Sequence, residues 1–218
     1  MTVLPDLRTT VTGLYVGRPK TLWPGRPASS IARDPVNGPA RLGWVGFEGD
    51  QPSDLTAHGG PEKALHHYPA AHYPFWQAEL GASPAFRPGG FGENLSTDAL
   101  TEETVCIGDV FRLGSAEVQI SQGRQPCWKL VAHAGHDEMA YLVRRRLRTG
   151  WYYRVLAEGE VRVSDAMVLL DRPHPDWTLA RVMRALFDPR VGAGEAAHLA
   201  DLTHMTADWR ALFAGKAG

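Results

Sequence analysis

Residues 119–130 read QISQGRQPCWKL, and this stretch joins a strand pattern to a segment that carries a cysteine. Apolar and polar residues alternate just before it, with Ala116, Val118 and Ile120 on one face and Glu117, Gln119 and Ser121 on the other. Alternation with a period of two predicts a strand, and VFRL upstream makes 104–121 a predicted β-hairpin. The strand therefore ends close to Cys127, which we expect to lie in a loop.

Cys127 stands between two basic residues, Arg124 and Lys129. Nearby cations favour the thiolate over the thiol, and the thiolate is the reactive form. Such a thiolate can be a nucleophile, a redox centre or a ligand for a soft metal. The second cysteine, Cys106, falls within a predicted strand and is expected to be a small buried apolar residue. Without a nearby resolving cysteine the redox use is disfavoured, and the other two uses stay open.

The bulk composition limits the classes of protein that this chain can belong to. It has 218 residues, of which 44% are apolar and 22% charged, enough for one domain with an appendage or two small domains. A formal net charge of −1 gives no sign of a nucleic-acid partner. No apolar run reaches about 20 residues, and the start of the sequence lacks a secretory pattern. We expect a cytoplasmic protein with no membrane segment.

The apolar periodicity predicts a β-rich body followed by a small helical unit. Strand patterns occur at 11–17, 40–50, 104–121, 151–156 and 161–170. Helix patterns occur at 70–80 and 137–148, the second with Asp137 as its N-cap and Gly150 as its stop. After residue 173, three apolar stripes predict three helices that are too short to be stable alone. We predict a mainly β domain over 1–172 and a three-helix domain over 173–218.

Segment 49–73 combines acidic residues, a glycine pair and several histidines, namely Asp50, Asp54, His58, Gly59, Gly60, His66, His67 and His72. Its spacing matches neither H-E-x-x-H nor the structural zinc patterns, so we expect no zinc site. Gly59 and Gly60 can let the backbone approach another group closely, since they lack a side chain. A loop beside a ligand is the interpretation we prefer.

Two further segments each allow two interpretations, one structural and one functional. PGGFGENLST at 88–97 is not a dinucleotide-binding fingerprint; its glycines either expose N–H groups to an anion or form a cluster of turns. Asn94 within it can both donate and accept hydrogen bonds, which suits the edge of a heterocycle. RRRLR at 144–148 is most often a solvated helix face, and otherwise a patch for an anionic ligand or partner.

Three blocks together resemble the MOSC family, the domain named for the molybdenum cofactor sulfurase C-terminus. They read GDQPSDLTAHGGPEKALHHYPAAHYPFW, FGENLSTDALTEETVCIGDVFRLG and QISQGRQPCWKL. The likeness covers nearly the whole chain and is strongest to the bacterial branch linked to 6-N-hydroxylaminopurine resistance. It implies a mainly β fold with α-helices, in which a β-barrel-like body carries a cofactor groove and a C-terminal three-helix unit follows.

The resemblance also implies roles for individual residues. Cys127 corresponds to the family's invariant cysteine, the proposed molybdenum ligand, and a soft thiolate suits that metal. The cofactor implied is molybdopterin-bound molybdenum rather than pyridoxal phosphate. Arg124 and Lys129 would face its anionic pterin-dithiolene and phosphate. The other residues implied at the cofactor groove are Arg26, His58, Gly59, Gly60, His67, Glu93 and Asn94.

One residue departs from the family pattern, and it bears on the loop. Relatives commonly read Q-P-R before the cysteine, where this chain has Gln122-Gly123-Arg124. A glycine restrains the backbone less than a proline, so we expect this loop to be mobile before cofactor binding.

The activity that the resemblance implies is reduction of 6-N-hydroxylaminopurine and related N-hydroxylated compounds, such as amidoximes, to amino compounds. No flavin, haem or iron–sulfur motif is visible in the sequence, so electrons are expected from a separate donor protein.

One alternative is a non-catalytic carrier of the cofactor or of sulfur. Another is a hydrolase or transferase in which Cys127 is the nucleophile and His58, His67 or His133 the base. The C-terminal helices could cover the groove, dock the donor or form a homodimer.

Overall fold

The computed structural model describes residues 4–54 and 59–218, and its centre is a closed β-barrel. Seven strands form the barrel: β1 Arg8–Val16, β5 Leu65–His67, β6 Leu95–Thr97, β7 Val110–Leu113, β8 Ala116–Gly123, β9 Trp151–Ala157 and β11 Ala166–Asp171. They hydrogen-bond in the ring order β1-β11-β7-β8-β9-β5-β6, and the pairing of β6 with β1 closes the ring. All these pairs are antiparallel except β5 with β6. A closed barrel leaves no open sheet edge.

Short strands outside the ring complete the β structure. β2 (Asp34–Pro35) extends the sheet beside β1. β3 (Ala40–Gly43), β4 (Gly46–Phe47) and β10 (Gly159–Val161) form a separate three-stranded sheet. A mainly β fold with a barrel was predicted and is confirmed.

Six α-helices lie in the described part of the chain, together with a 3₁₀ turn at Pro61–Lys63. They are α1 His72–Leu80, α2 Trp128–Ala134, α3 Met139–Arg146, α4 Leu179–Phe187, α5 Ala193–Ala200 and α6 Ala207–Ala217. Five of them were predicted, but α2 falls where we expected a loop. No helix in 4–54 or 59–218 has the length and apolar character to cross a membrane.

The ends of α3 differ from the prediction. Its N-cap is Glu138, without a capping side-chain bond, and not Asp137. The helix already ends at Arg146, because Leu147 turns left-handed with a φ of 53°. Gly150, which was predicted to stop the helix, has a φ of 69° and directly precedes strand β9.

Two apolar clusters stabilise the molecule. The first fills the barrel and continues into the C-terminal helices, joining strand residues such as Phe111 and Ile120 to Met183 and Trp209. The second is aromatic, contains Tyr68, Trp76 and Phe91, and holds α1, α2 and α3 against the barrel. The segment after Cys127 is therefore fixed by packing that is separate from the barrel core.

The C-terminal helices are fixed to the barrel by polar contacts as well. Thr178 caps α4 by accepting from the N–H of Arg181 at 3.3 Å, and its backbone forms a β-bridge with Cys106. Thr206, which precedes α6, donates its hydroxyl to the Gln122 side chain at 3.0 Å. That bond, together with the shared core, joins the helices to the strand that leads to Cys127. Whether 173–218 forms a domain of its own stays a prediction.

Gly123 is the last residue of β8 and lies against the C-terminal helices. A methyl group at this position would overlap Met183 Sδ and come within 2.9 Å of Trp209. Gly123 pairs with Trp151, and the next N–H, of Arg124, donates to Gly150 at 3.0 Å. We expected glycine to loosen a loop here; instead it lets α4 and α6 approach a paired strand closely.

Replacement of Gly123 by alanine should therefore lower the free energy of unfolding by about 1–3 kcal/mol, because overpacking forces neighbours out of position. The measurement is urea denaturation. Gly194→Ala is the matched control, since nothing lies within 4 Å of a methyl group there, and its stability should be unchanged or slightly higher. Equal stability of Gly123→Ala and the wild type would contradict this packing.

Candidate functional site

A partly open pocket lies at the end of the barrel where the two apolar clusters meet. Ala64 from the first cluster and Ile31 and Phe91 from the second form its apolar surface. Its polar lining comes from distant parts of the chain and comprises Ser29, Ser30, Arg33, Asp50, Ser53, Lys63, His66, Asn94, Arg124, Cys127, Lys129 and Tyr152. A concave site with convergent polar groups on an apolar surface is typical of a small-ligand site.

One buried carboxylate holds the walls of this pocket together. Asp50 accepts hydrogen bonds from the N–H of Gly17 at 2.7 Å and from the Asn94 side chain at 2.8 Å, and it pairs with the Arg33 guanidinium. Arg33 also donates to the carbonyl of Gly92 at 2.7 Å. Since the Asp50 and Arg33 side chains are only 6% and 8% exposed, water hardly weakens this pair.

Asn94 is the second crosslink, and its side chain is fully used. The amide nitrogen donates to Asp50 and to the carbonyl of Tyr15, and the amide oxygen accepts from the N–H of His66 at 3.1 Å. The structure thus places Asn94 on the pocket wall. Its amide joins β1 to β5 instead of pointing a spare hydrogen-bonding edge at a ligand.

Positive charge dominates the pocket lining. Arg33, Lys63, Arg124 and Lys129 oppose the single carboxylate of Asp50, so four cations against one anion leave an excess of three positive charges. Lys129 donates to the Ser53 hydroxyl at 3.2 Å. Arg124 is 4% exposed, and its Nη1 has no hydrogen-bond partner within the described residues. A buried donor without a partner is costly, so a ligand that accepts a hydrogen bond from it would remove that cost.

The adjacent histidines of β5 point to opposite faces of the strand. His66 lines the pocket, and its Nε2 is a second buried atom without a partner in 4–54 and 59–218. His67 faces the barrel interior, where Tyr153 and Thr97 each lie 3.0 Å from one of its ring nitrogens. The sequence placed His67 at the groove, and the structure corrects this: His66 occupies that place, because successive side chains alternate along a strand.

Both imidazoles are neutral at neutral pH. Burial, followed by the positive charge of Arg124, holds the pKa of His66 well below its usual range. Burial, followed by His72, lowers the pKa of His67 to about 3. His66 therefore offers the pocket a hydrogen-bonding nitrogen without adding charge.

Cys127 is the N-cap residue of α2, and its side chain is half-buried on the pocket wall. A thiol at a helix N-terminus beside cations has its thiolate favoured. Cys106 provides the contrast, because it is fully buried and burial, followed by Asp109, raises its pKa to about 12. The two cysteines thus differ in burial as the sequence predicted, although Cys106 forms an isolated β-bridge and does not lie in a named strand.

Several residues predicted at the groove lie elsewhere. Glu93 is fully buried and accepts from Tyr73 and from the N–H groups of Gly89 and Phe91, so segment 88–97 is a turn cluster closed by its own carboxylate. These two N–H groups therefore bind a carboxylate of the protein itself and are not directed at a ligand.

Gly60, with a φ of 90°, turns the chain into the 3₁₀ segment that carries Lys63, and Gly59 precedes this turn. Neither glycine lines the pocket. Arg26 is exposed, and its guanidinium lies 5.4 Å from the centre of the Trp128 ring. His58 lies outside the described residues. For all of these residues, cofactor binding stays a prediction.

Sequence reasoning missed some of the lining residues. Arg33, Lys63 and Tyr152 were not singled out, and neither were the serines of the wall. Tyr152 lies in a strand that the sequence predicted, but the sequence did not show which face of the strand its side chain is on. Arg33 lies among prolines with no periodicity, and only its buried pairing with Asp50 identifies it.

The other polar segments do not join this site. Arg144 and Arg145 are exposed and lie over the rings of Phe187 and Tyr141, while Arg146 pairs with Glu79. Residues 144–146 thus form a solvated helix face, which was one of our two interpretations of 144–148. Arg148 lies beyond the helix end, is half-buried and contacts His72 and the Phe75 ring. Within 4–54 and 59–218, no group of three or more histidine, cysteine or acidic residues could hold a metal ion.

Comparison with known proteins identifies the family. The sequence model of the MOSC domain family matches residues 54–168 of this chain. The chain belongs to the MOSC family. Among curated MOSC relatives, the "Uncharacterized protein YflK" of Bacillus subtilis is 40% identical over 96% of this chain and 95% of its own length. "Protein YiiM" of Escherichia coli is 42% identical over 73% of this chain and 71% of its own.

Two further MOSC comparisons bear on the fold and the activity. The crystal structure of YiiM from Geobacillus stearothermophilus superposes with a TM-score of 0.82 at 30% identity, covering 96% of this chain and 100% of that one. A Gibberella moniliformis protein named "Reductase" is 36% identical over 74% of this chain, but that match spans only 29% of the fungal protein. The chain is therefore homologous to YiiM proteins and to part of a reductase.

The buried carboxylate makes a testable prediction. Asp50→Asn leaves the Arg33 guanidinium without its counter-charge and should lower the free energy of unfolding by about 3 kcal/mol or more. Asp34→Asn, in the exposed pair of Asp34 with Lys20, is the matched control and should cost about 1 kcal/mol at most. Urea denaturation at neutral pH measures both. Similar losses for the two variants would show that Asp50 does not hold the pocket together.

Proposed function

We propose that this MOSC protein binds the molybdenum cofactor in the pocket, with Cys127 as a ligand of the metal, and reduces N-hydroxylated bases of the 6-N-hydroxylaminopurine type and related N-hydroxylated compounds. The observation that carries the proposal is the arrangement around Cys127. A half-buried thiol at a helix N-terminus shares one pocket with four cations and with two buried polar atoms that have no partner in the described part of the chain.

The described residues fit the chemistry of this group. The cofactor is an anion that carries a phosphate and a dithiolene, and the pocket has an excess of three positive charges. Arg124 would bind an anionic oxygen through Nη1, which otherwise remains an unpaired buried donor. Lys129 and Lys63 would supply the remaining positive charge, because Arg33 is paired with Asp50. A thiolate is a suitable ligand because soft metals prefer sulfur.

Reduction of R–NH–OH to R–NH₂ and water takes up two electrons and two protons. The cofactor, when bound, supplies the two-electron chemistry at the oxygen atom. The chain holds Cys127 in place through α2, whose first turn packs on the aromatic cluster through Leu130. Arg33 and Asp50 fix the opposite wall. His66 adds a neutral hydrogen-bonding group, so it does not reduce the affinity of the pocket for an anion.

A separate electron-donor protein is part of the proposal. The fungal relative named "Reductase" is much longer than its matching segment, so further chain accompanies its MOSC-like part. A donor domain joined to that segment would replace a separate donor. For the present chain we propose that the donor is a distinct protein that approaches the open side of the pocket.

The cofactor-free alternative would need a different base from the three that were predicted. A cysteine nucleophile needs a base within hydrogen-bonding reach. His67 faces the barrel interior and His133 does not line the pocket, while His58 lies outside the described residues. His66 is the described histidine that shares the pocket with Cys127, and it would have to act as the base. A non-catalytic carrier would use the same pocket, so only an assay of turnover separates it from a reductase.

The test is metal and pterin analysis of protein made in a molybdenum-replete host, with reduction of 6-N-hydroxylaminopurine by a chemical reductant. Wild type should contain molybdenum and pterin and should reduce the substrate. Cys127→Ser should lose at least about 100-fold in activity, since even the outer-shell partners of metal ligands typically matter 10- to 100-fold.

Cys106→Ser is the matched control, because this thiol is buried away from the pocket, and it should keep the activity and the cofactor. Circular dichroism checks that both variants fold. Wild-type protein that contains the cofactor but leaves the hydroxylamine unchanged would favour the carrier. Absence of the cofactor from wild type, or full activity of Cys127→Ser, would refute the proposal.

A further inference from the structure

Two tryptophans and an arginine meet beside the pocket without lining it. Trp128 directly follows Cys127 and is 40% exposed. The ring of Trp23 lies edge-on to it, with the ring centres 5.4 Å apart and the planes at 61°. The Arg26 guanidinium lies over the Trp128 ring, 5.4 Å from its centre. We call Trp23, Arg26 and Trp128 the rim cluster.

A tight turn places two members of the rim cluster on the third. The N–H of Arg26 donates to the carbonyl of Trp23 at 3.2 Å, across Pro24 and Gly25. Gly25 has a φ of 70°, and proline followed by such a glycine forms a type II turn. Trp23 also packs on the aromatic cluster, so this packing fixes its position in addition to the turn.

The rim cluster joins two segments that both border the pocket. Lys20 and Ser29 pair through two backbone hydrogen bonds of 3.0 and 2.9 Å, so the loop between them starts and ends at one wall. Ser29 lines the pocket on that side, and Cys127 and Lys129 line it on the other. Trp128 stands between these last two in sequence. The rim cluster therefore spans the two walls at the edge of the pocket.

A large exposed aromatic residue at such a position needs an explanation. Four of the seven tryptophans, Trp76, Trp151, Trp177 and Trp209, are buried, and Trp23 is half-buried. Trp44, in the turn between β3 and β4, and Trp128 are the two that are largely exposed. Trp128 is the one that adjoins Cys127. Its ring contacts the Trp23 ring and the Arg26 guanidinium, and 40% of the residue stays exposed.

We propose that the rim cluster is a binding site for the flat heterocycle of the substrate, which stacks on the exposed surface of Trp128. Every nucleobase has a π-face, and stacking on an aromatic side chain tolerates different ring substituents. Stacking leaves the N-hydroxyl group free to enter the pocket beside Cys127. This inference rests on the proposed reduction of N-hydroxylated bases and adds the residue that selects aromatic over aliphatic substrates.

The experiment compares Trp128→Ala with Trp44→Ala, which removes the other largely exposed tryptophan and lies away from the pocket. Isothermal titration calorimetry is performed on the oxidised protein without reductant, using 6-N-hydroxylaminopurine and the non-aromatic acetamidoxime. Trp128→Ala should weaken purine binding about tenfold and change acetamidoxime binding by less than about twofold, because only the purine can stack. Trp44→Ala should behave as wild type, and Trp128→Phe should recover most of the affinity.

Turnover with a chemical reductant gives an independent measurement. Trp128→Ala should raise KM for the purine and leave kcat and the molybdenum content unchanged. An equal loss for both ligands, a loss of molybdenum, or no saturable purine binding by wild type would overturn the inference. Because titration needs no turnover, a protein that binds purine through Trp128 but reduces nothing would refute the reductase and keep the rim site.

Discussion

The pocket depends on one buried carboxylate. Asp50 binds the backbone at Gly17, the guanidinium of Arg33 and the amide of Asn94, so three separate segments meet at a single side chain. A buried charge is stable only when it is paired and hydrogen-bonded. Asp50 meets that condition, and it neutralises one of the four cations that line the pocket. The same side chain thus holds the pocket walls together and lowers the positive charge of the lining by one.

The position of Cys127 follows from two packing constraints on either side of it. Before it, β8 ends at Gly123, where the absence of a side chain lets Met183 and Trp209 pack against the strand. After it, α2 packs on the aromatic cluster through Leu130. The C-terminal helices are therefore part of what positions the thiol. This gives a physical reason for glycine at this position.

The fold was largely predictable, and the site only in part. Strand alternation and helical stripes are local signals, so the hairpin leading to Cys127 and five helices could be recognised. Helix α2 has only seven residues, and its pattern was too short to see. His66 and His67 show the limit for the site: alternation separates them, but only the register of β5 with its neighbours determines which one faces the pocket. Arg33 reaches the site through a contact 59 residues away, at Gly92, which no local pattern reveals.

We propose that the Cys127 thiolate binds the metal of an anionic cofactor inside this positively charged pocket. Molybdenum K-edge X-ray absorption spectroscopy of the protein, purified from a molybdenum-replete host, reports the sulfur neighbours of the metal. We expect one more sulfur neighbour than the dithiolene alone supplies, and loss of that neighbour after alkylation of Cys127. A metal with only dithiolene sulfur around it, in protein whose Cys127 is unmodified, would show that Cys127 is not a ligand.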